Sequence, residues 1–330
     1  MNSVITGWGK ALPTRIVTNA DLEKIVDTSD EWITSRTGIR ERRFVSDDEF
    51  ASTLATKAGQ AALDRAHLAA TDIDLIIVAT VSGDYTFPST ANLVQHALGA
   101  RCPAFDIQAA CTGWMYGLVT AHQFIANGAM RNILVIGVDI LSGVLDFNDR
   151  TTCVLFGDGA GAAVLSASNE PGGIVGYTLG SDGDQPERLY RPAGGSRTPI
   201  TPANAGTSET YVKMMGSEVF KFATRIMGTA MIEALNNAGL TTSDLDLLIP
   251  HQANLRIIDS AVKRLELAPE KVFVNLQNYG NTSAASIGIA LTEAIEAGRV
   301  HPGDTIGLVA FGAGLTWGAI ALKWTAPTTE

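Results

Sequence analysis

Short runs of β-branched or apolar residues alternate with helix-period patterns along most of the chain. The runs predict strands at Val4–Thr6, Leu75–Thr80, Ala104–Ile107 and Ile133–Val138 in the first half. In the second half they predict strands at Leu247–Ile249, Val272–Val274, Ile306–Phe311 and Ala319–Trp324. Between them, Val212, Met215, Val219, Phe222 and Ile226 are spaced 3, 4, 3 and 4 apart, which predicts one apolar helix face. Such alternation favours an α/β protein built of layered sheets with helices on their faces. The uncharged stretch Ile306–Leu322 is 17 residues long and interrupted by Gly307, Gly312, Gly314 and Gly318. It suits two buried strands and a glycine turn better than a membrane span.

The pattern repeats. Asp72–Thr80 (DIDLIIVAT) resembles Asp244–Gln252 (DLDLLIPHQ) at an offset of 172, and Cys111–Gly128 aligns with Asn281–Gly298 at an offset of 170. In the second pair a Thr follows the first residue and a Gly closes the helix 17 positions later. A near-constant offset is what an internal duplication leaves. It predicts two pseudo-symmetric halves, 1–170 and 171–330, whose equivalent helix N-termini meet near a shared axis. Between them, the Gly-, Pro- and Ser-rich segment Asp182–Ser208 reads as a long loop or insertion, open to movement.

Composition narrows the class. With 330 residues, 46% hydrophobic and 18% charged, the chain is long and apolar enough for a sizeable core. Its 24 Lys+Arg against 34 Asp+Glu give a net charge of −10, which argues against nucleic acid or an anionic membrane as partner. Three cysteines (Cys102, Cys111, Cys153) are odd in number and form no CxxC pair, against both a disulfide framework and a zinc site. No metal is expected, since His67, His96, His122 and His301 lack partners at ligand spacing. The N-terminal MNSVITGWGK lacks a signal peptide's apolar run, so a cytoplasmic protein is expected.

Cys111, in DIQAACTGW, follows a predicted strand and opens a helix that is apolar on every side. A thiol at a helix N-terminus faces unpaired N–H groups, which favour thiolate below the free value of about 8.5. That is a nucleophile's setting; the alternative is a buried, inert cysteine. His251, in IPHQAN, follows the strand ending at Ile249, and a lone His there also has a purely structural reading. The repeat brings it to the same rim as Cys111. It also makes Asn281 the duplicate of Cys111, at the other helix N-terminus, where Asn is in any case a good N-cap. A thiol with an imidazole and an amide around one point forms a nucleophile plus a pair of hydrogen-bond donors. GDGAG (157–161) and GAGLTWG (312–318) lack the G-x-G-x-x-G spacing and are not read as nucleotide loops.

Six segments in order carry a resemblance: DTSDEWITSRTGIRERR (27–43), AACTGW (109–114), LFGDGAGAAVL (155–165), PHQANLRII (250–258), GNTSAAS (280–286) and AFGAGLTWG (310–318). Together they resemble the β-ketoacyl-acyl-carrier-protein synthase III family over nearly the whole chain. The resemblance implies a thiolase-like five-layered α-β-α-β-α fold from two duplicated halves, as a homodimer. It implies that Cys111 takes the acyl group from acyl-CoA. His251 and Asn281 would receive malonyl-acyl-carrier protein and stabilise the enolate left by decarboxylation. The product would be a 3-oxoacyl-carrier protein, with CoA and CO₂ released and no cofactor required. The backbone N–H groups of Cys111 and Ala313 would form the oxyanion hole. Trp32, Arg36 and Arg150 would hold the CoA head, and Thr28, Met214, Gly216, Phe220, Ala253 and Asn254 would line the pantetheine tunnel. Phe87 would cross the dimer interface to close the partner's acyl pocket. Because acyl-carrier protein is acidic, docking on a chain of net charge −10 needs a local basic patch. Arg256, which matches the family's docking residue, with Lys221, Lys263 and Arg264, would form it.

Three other readings are weighed against this one. A relative in a polyketide or specialised pathway, some members of which only transfer an acyl group to oxygen or nitrogen, would share most of the pattern; Asn281 speaks for condensation. A dinucleotide-binding oxidoreductase would need G-x-G-x-x-G after the first strand, and Gly7-Trp8-Gly9 runs on into Lys10-Ala11-Leu12 instead. A non-catalytic scaffold would have no reason to keep Cys111, His251 and Asn281 together.

Overall fold

The computed structural model describes residues 1–326. In the first half, β1 (Asn2–Ala11) is followed by the hairpin β2 (Arg15–Thr18) and β3 (Glu41–Phe44), then β4 (Leu75–Ala79), β5 (Ala104–Ile107), β6 (Asn132–Asp139) and β7 (Gly159–Ser168). Then come β8 (Gly173–Ser181), the short β9 (Leu189–Tyr190) and β10 (Lys213–Met214), β11 (Leu247–Pro250), β12 (Thr305–Gly312) and β13 (Thr316–Lys323).

Two large sheets result. One has the order β1-β7-β6-β4-β5, with β6, β4 and β5 parallel and β1 and β7 antiparallel to their neighbours. The other has the order β11-β12-β13-β8, and Val272 adds a parallel bridge to Leu248 beyond its β11 edge. The predicted strand at Val272–Val274 is therefore a single bridge, in the place β5 holds in the first sheet.

Helices fill the spaces on either side. Gly113–Ala126 and Ser286–Glu296 lie between the sheets, where Trp114, Met115, Leu118, Ile287 and Leu291 pack on the inward residues of both. Ala51–Ala66 and Thr90–Leu98 cover the outer face of the first sheet, while Gly216–Asn237 and Leu255–Leu265 cover that of the second. The layers read α-β-α-β-α. Both central helices are buried nearly all round, which explains their small and apolar composition. Their approach to the sheet is close: a Cβ at Gly161 would lie 2.6 Å from Gly288 C, so GDGAG serves contact between backbones as it opens β7.

Two local expectations are corrected. The helix containing Val219, Phe222 and Ile226 starts at Gly216, so Val212 and Met215 precede it; Met215 is half exposed. Asp182–Ser208 is not wholly irregular, since Leu189–Tyr190 pairs with Lys213–Met214 and Ala193 is buried. No helix among the described residues is long and apolar enough to cross a membrane.

Candidate active site

Cys111 lies in a 3₁₀ turn, Ala110–Thr112, that runs directly into the Gly113–Ala126 helix. Ala110 has φ +47°, a left-handed conformation that costs a non-glycine residue of order 1 kcal/mol. The β12–β13 turn presses on this one from the second sheet. A Cβ at Gly312 would lie 2.8 Å from Cys111 N, so only glycine lets the two backbones meet here. The Thr112 and Thr316 hydroxyls, 2.8 Å apart, tie the turns together, and Thr316 Oγ1 donates to Ala313 O at 3.0 Å. The two backbone donors expected to form an oxyanion hole therefore sit on turns that are bonded to each other.

The thiol is not depressed as its place before a helix suggests. Burial pushes it up to about 12, opposed by a hydrogen bond from the Ser283 side chain and reinforced by the charge of Asp139. The helix N-terminus acts against an apolar pocket with no nearby cation, and desolvation of the anion wins.

His251 follows β11, its N–H donating to Val309 O at 2.8 Å. The imidazole is buried, edge-on to Phe311 with ring centroids 5.6 Å apart, and its Nδ1 is 2.6 Å from Ser286 Oγ. Nε2 is buried without a partner in the protein. Burial drops its pKa to about 3, so the ring is neutral at working pH. In the tautomer where Ser286 donates to Nδ1, the ring proton resides on Nε2, which is then a donor free for a substrate atom.

Asn281 is held from both sides of its backbone, its N–H donating to Leu155 O at 2.8 Å and its carbonyl accepting from Gly157 N at 3.0 Å. Its Oδ1 accepts from Ser283 N–H at 2.8 Å, which leaves the amide nitrogen to donate elsewhere. Asn281 therefore stands two residues ahead of the turn Ser283–Ala285, not at the position equivalent to Cys111. The 170 offset aligns the helix ends; the turns align at 173, which sets Cys111 opposite Ala284.

Among the residues expected to hold the CoA head, the Trp32 ring is flanked by two guanidinium groups, with Arg36 Cζ 4.8 Å and Arg150 Cζ 5.1 Å from its centroid. Arg150 is fixed by donating to Asp27 O at 2.9 Å, and Asn254 Nδ2 donates to Arg36 O at 3.0 Å. Thr28 Oγ1 is buried without a partner. Met214 and Phe220 pack with Ala253 and Phe311, and a Cβ at Gly216 would meet only Met214 Cε, at 3.7 Å. Arg256 is exposed, with its guanidinium 5.2 Å from the centre of the Phe220 ring. Of the other basic residues, Lys221 is paired with Glu218 at 2.9 Å, while Lys263 and Arg264 lie in the last turn of the Leu255–Leu265 helix, with Arg264 against Gly228. Phe87 is 84% exposed.

The chain of contacts joins the three central residues. The Cys111 turn packs on the turn that begins at Ser283, whose N–H Asn281 holds; it also meets Gly312, next to the Phe311 that lies against His251. Sequence reasoning missed Phe311, Ser283 and Ser286, although all three stand within the quoted motifs, and it missed Asp139 entirely. Nothing in the pattern of that strand end marks a buried carboxylate.

Paired sheets around two buried helices, with a thiol at the start of one and a buried imidazole bonded to the first residue of the other, define a thiolase-like fold. Family models for 3-oxoacyl-[acyl-carrier-protein] synthase III match residues 105–183, and its C-terminal part matches residues 235–324. A β-ketoacyl-[acyl-carrier-protein] synthase III of Symbiobacterium thermophilum is 57% identical over 97% of each chain, and one of Roseiflexus sp. is 52% identical over 98% of this chain and 99% of that one. The crystal structure of 3-oxoacyl-[acyl-carrier-protein] synthase III from Aquifex aeolicus superposes with a TM-score of 0.91 at 48% identity, covering 98% of this chain and all of that one. The priming β-ketosynthase of the R1128 polyketide pathway gives the same TM-score at 36% identity, covering 99% and 97%. The chain belongs to the 3-oxoacyl-[acyl-carrier-protein] synthase III family.

Proposed function

We infer that this chain is an acyltransferase that condenses an acyl-CoA primer with malonyl-acyl-carrier protein, giving 3-oxoacyl-carrier protein, CoA and CO₂, the first step of type II fatty-acid synthesis. Cys111 attacks the primer thioester, and the Cys111 and Ala313 N–H groups receive the developing oxyanion. The acyl-Cys111 thioester then waits for the malonyl carrier. Loss of CO₂ leaves an enolate whose oxygen accepts from His251 Nε2 and Asn281 Nδ2, and its carbon attacks the acyl group. The observation that carries the reading is that pair of uncharged donors: a buried Nε2 with no protein partner and an amide whose oxygen is already committed. Neutral donors stabilise charge that appears only during the reaction, with no permanent buried ion.

The sites around the mouth fit the same reading. The Arg36–Trp32–Arg150 stack suits an adenine base with its phosphates. Thr28 Oγ1 and the opening beside Gly216 suit a pantetheine arm along Met214, Phe220, Ala253 and Asn254. Arg256 is the leading contact for an acidic carrier protein, with Lys221, Lys263 and Arg264 around it. The exposed edge of β5, with Phe105, Tyr85 and Phe87 open to solvent, supports a homodimer in which Phe87 reaches the partner. Three free thiols support a cytoplasmic location, and the two pseudo-symmetric halves 1–170 and 171–330 each supply one side of the site. As written, the reaction needs no cofactor.

Intact-protein mass after exposure to a panel of acyl-CoAs, and again after malonyl-acyl-carrier protein, tests the inference. One adduct on Cys111 that disappears as 3-oxoacyl-carrier protein forms is expected. An adduct that persists, or leaves only for an alcohol or amine, would overturn condensation in favour of simple acyl transfer.

A further inference from the structure

The two backbone donors assigned to the oxyanion hole come from different layers of the molecule. Cys111 lies in the turn that opens the central helix Gly113–Ala126, and Ala313 lies between β12 and β13 of the second sheet. The Ala313 N–H meets no acceptor among the described residues, which leaves it available to a substrate oxygen. Thr112 and Thr316, the side chains that join these turns, are 204 positions apart, so no short stretch of chain fixes one donor relative to the other.

Two features bring the turns into register. Gly312 lets the backbones touch, since a Cβ there would lie 2.8 Å from Cys111 N. Contact of that kind limits approach, but it does not stop the turns from sliding or separating. A pair of hydroxyls does, because hydrogen bonds fix distance and angle together. Thr112 Oγ1 donates to Thr316 Oγ1 at 2.8 Å, and Thr316 Oγ1 donates to Ala313 O at 3.0 Å. Both hydroxyl oxygens also lie near Ala109 O, at 2.6 and 3.2 Å, and that carbonyl accepts from Thr112 N–H at 3.1 Å. One of these carbonyls belongs to each turn. On its far side the β12–β13 turn is held by Leu315, whose N–H and carbonyl pair with the backbone of Asp182. Without the hydroxyls the turn would stay fastened to the second sheet and lose its directional link to the thiol.

We propose that Thr316, with Thr112 as its partner, is the positioning residue of the oxyanion hole and holds the Ala313 N–H in register with that of Cys111. This rests on the reading in which those two N–H groups receive the oxyanion. A hole of two donors works only where both reach one oxygen at about 2.7–3.1 Å, so a small slip of one turn weakens it. Thr316 forms no bond to substrate and moves no proton. Its effect is confined to the steps that place charge on the acyl oxygen, which are Cys111 acylation and carbon–carbon bond formation. Loss of CO₂ from malonyl-acyl-carrier protein places charge on a different oxygen, served by His251 and Asn281.

The test uses Thr316→Val, which keeps the shape of the side chain and removes its hydroxyl, with Thr316→Ser, Thr112→Val and the double variant. Single-turnover acetylation by acetyl-CoA, followed by intact mass, should slow about tenfold to thirtyfold in Thr316→Val, less than the 10²–10³ lost with a whole donor. The acetyl-CoA concentration giving half the maximal rate should not change, and every chain should still become acetylated, which separates a slower step from a damaged fraction. Thr316→Ser should recover to within about threefold of wild type, as the hydroxyl is restored. Thr112→Val should match Thr316→Val, and the double variant should be no slower than either, because each loss breaks the same bridge. Thr112→Val carries the test if Thr316→Val does not fold. Decarboxylation by the unacylated enzyme should be unchanged. With ¹³C-carbonyl acetyl-CoA, the infrared carbonyl band of acetyl-Cys111 should move to higher frequency in Thr316→Val, as its hydrogen bonds weaken. Acetylation at the wild-type rate, an equal loss of decarboxylation, an unmoved carbonyl band, or single losses that multiply in the double variant would overturn the proposal and leave the condensation reading intact. Wild type that takes no acetyl group on Cys111 would remove both.

Discussion

The two turns at the centre of the molecule share a backbone and differ in what they carry. Ala110–Thr112 and Ser283–Ala285 are both 3₁₀ turns opened by a non-glycine residue with φ near +50°, and each runs into a central helix. The first presents a thiol and passes through Thr112 to Gly113. The second has Ala284 in the thiol's place and offers supports instead: the Ser283 N–H to Asn281 Oδ1 and the Ser286 hydroxyl to His251. On the proposed reading, one backbone device supplies the nucleophile on one side and, on the other, the supports for a donor pair. A single charged group serving both steps would have to be buried; dividing the work keeps the donor pair neutral.

The strongest way to break this division is to empty one turn at a time. Cys111→Ala should abolish the acyl adduct completely while leaving some malonyl decarboxylation, because the donor pair is intact. His251→Ala or Asn281→Ala should do the reverse, leaving acylation within a few-fold and slowing condensation by roughly 10²–10³, the usual effect of one lost oxyanion donor. Adduct mass and 3-oxoacyl product measured on the same samples check both. If His251→Ala slowed adduct formation as much as condensation, the two halves would not have separate tasks.

A smaller effect is expected where the turns are packed rather than reactive. A Cβ at Gly137 would lie 2.2 Å from Ala284 O and 3.2 Å from Trp114 Cδ1, so Gly137→Ala must push the second turn away. Overpacking of this kind costs roughly 1–3 kcal/mol, and urea unfolding should show it as a lower midpoint. Because the second turn moves, condensation should fall more than Cys111 acylation. Its counterpart, Gly113→Ala, brings a Cβ within 3.0 Å of Ala79 Cβ, a milder contact that the gain in helix propensity of about 1 kcal/mol offsets. Equal losses in the two variants would mean that the turns are braced alike.

Where the sequence was readable, the reason is periodic. β4, β6, β11 and β12 are buried on both faces or nearly so, and their continuous apolar runs mark them within a residue; β13 is read three residues short at its start, and β5, on the exposed edge, is read from Ala104, Phe105 and Ile107. The strand β7 (GAGAAVLSAS) went unread because glycine and alanine stand where helices press closely, and such residues carry no strand signal; in β8 (GIVGYTLGS) three glycines interrupt the apolar run. The start of the Gly216–Asn237 helix was misplaced for a related reason, since apolar Val212 and Met215 continue its period by coincidence after the chain has left it. Cys111, His251 and Asn281 were legible because short motifs enclose them. Asp139 was not: Thr80, Val81 and Ser82 from one segment and Ala284 from another, distant one converge on it, which no local pattern records.

The smallest expected effect concerns the charge state that the comparison depends on. A donor pair that works uncharged requires His251 to stay neutral, and its burial holds its pKa at about 3 against 6.5 in an exposed ring. Between those values the unfolded chain takes up a proton that the folded chain refuses, so His251 lends full stability above about pH 6.5 and less as pH falls toward 3. From pH 7 to pH 5 the loss from this one residue is about 2 kcal/mol. Urea unfolding of wild type and His251→Gln at both pH values isolates it, because every other titrating group is common to the two proteins. Wild type should lose about 2 kcal/mol more than the variant over that interval, while its decarboxylation of malonyl-acyl-carrier protein shows no inflection near pH 6.5. Equal losses would mean that His251 is protonated in the folded protein at pH 5, and the second turn would then be supporting a cation rather than a neutral donor.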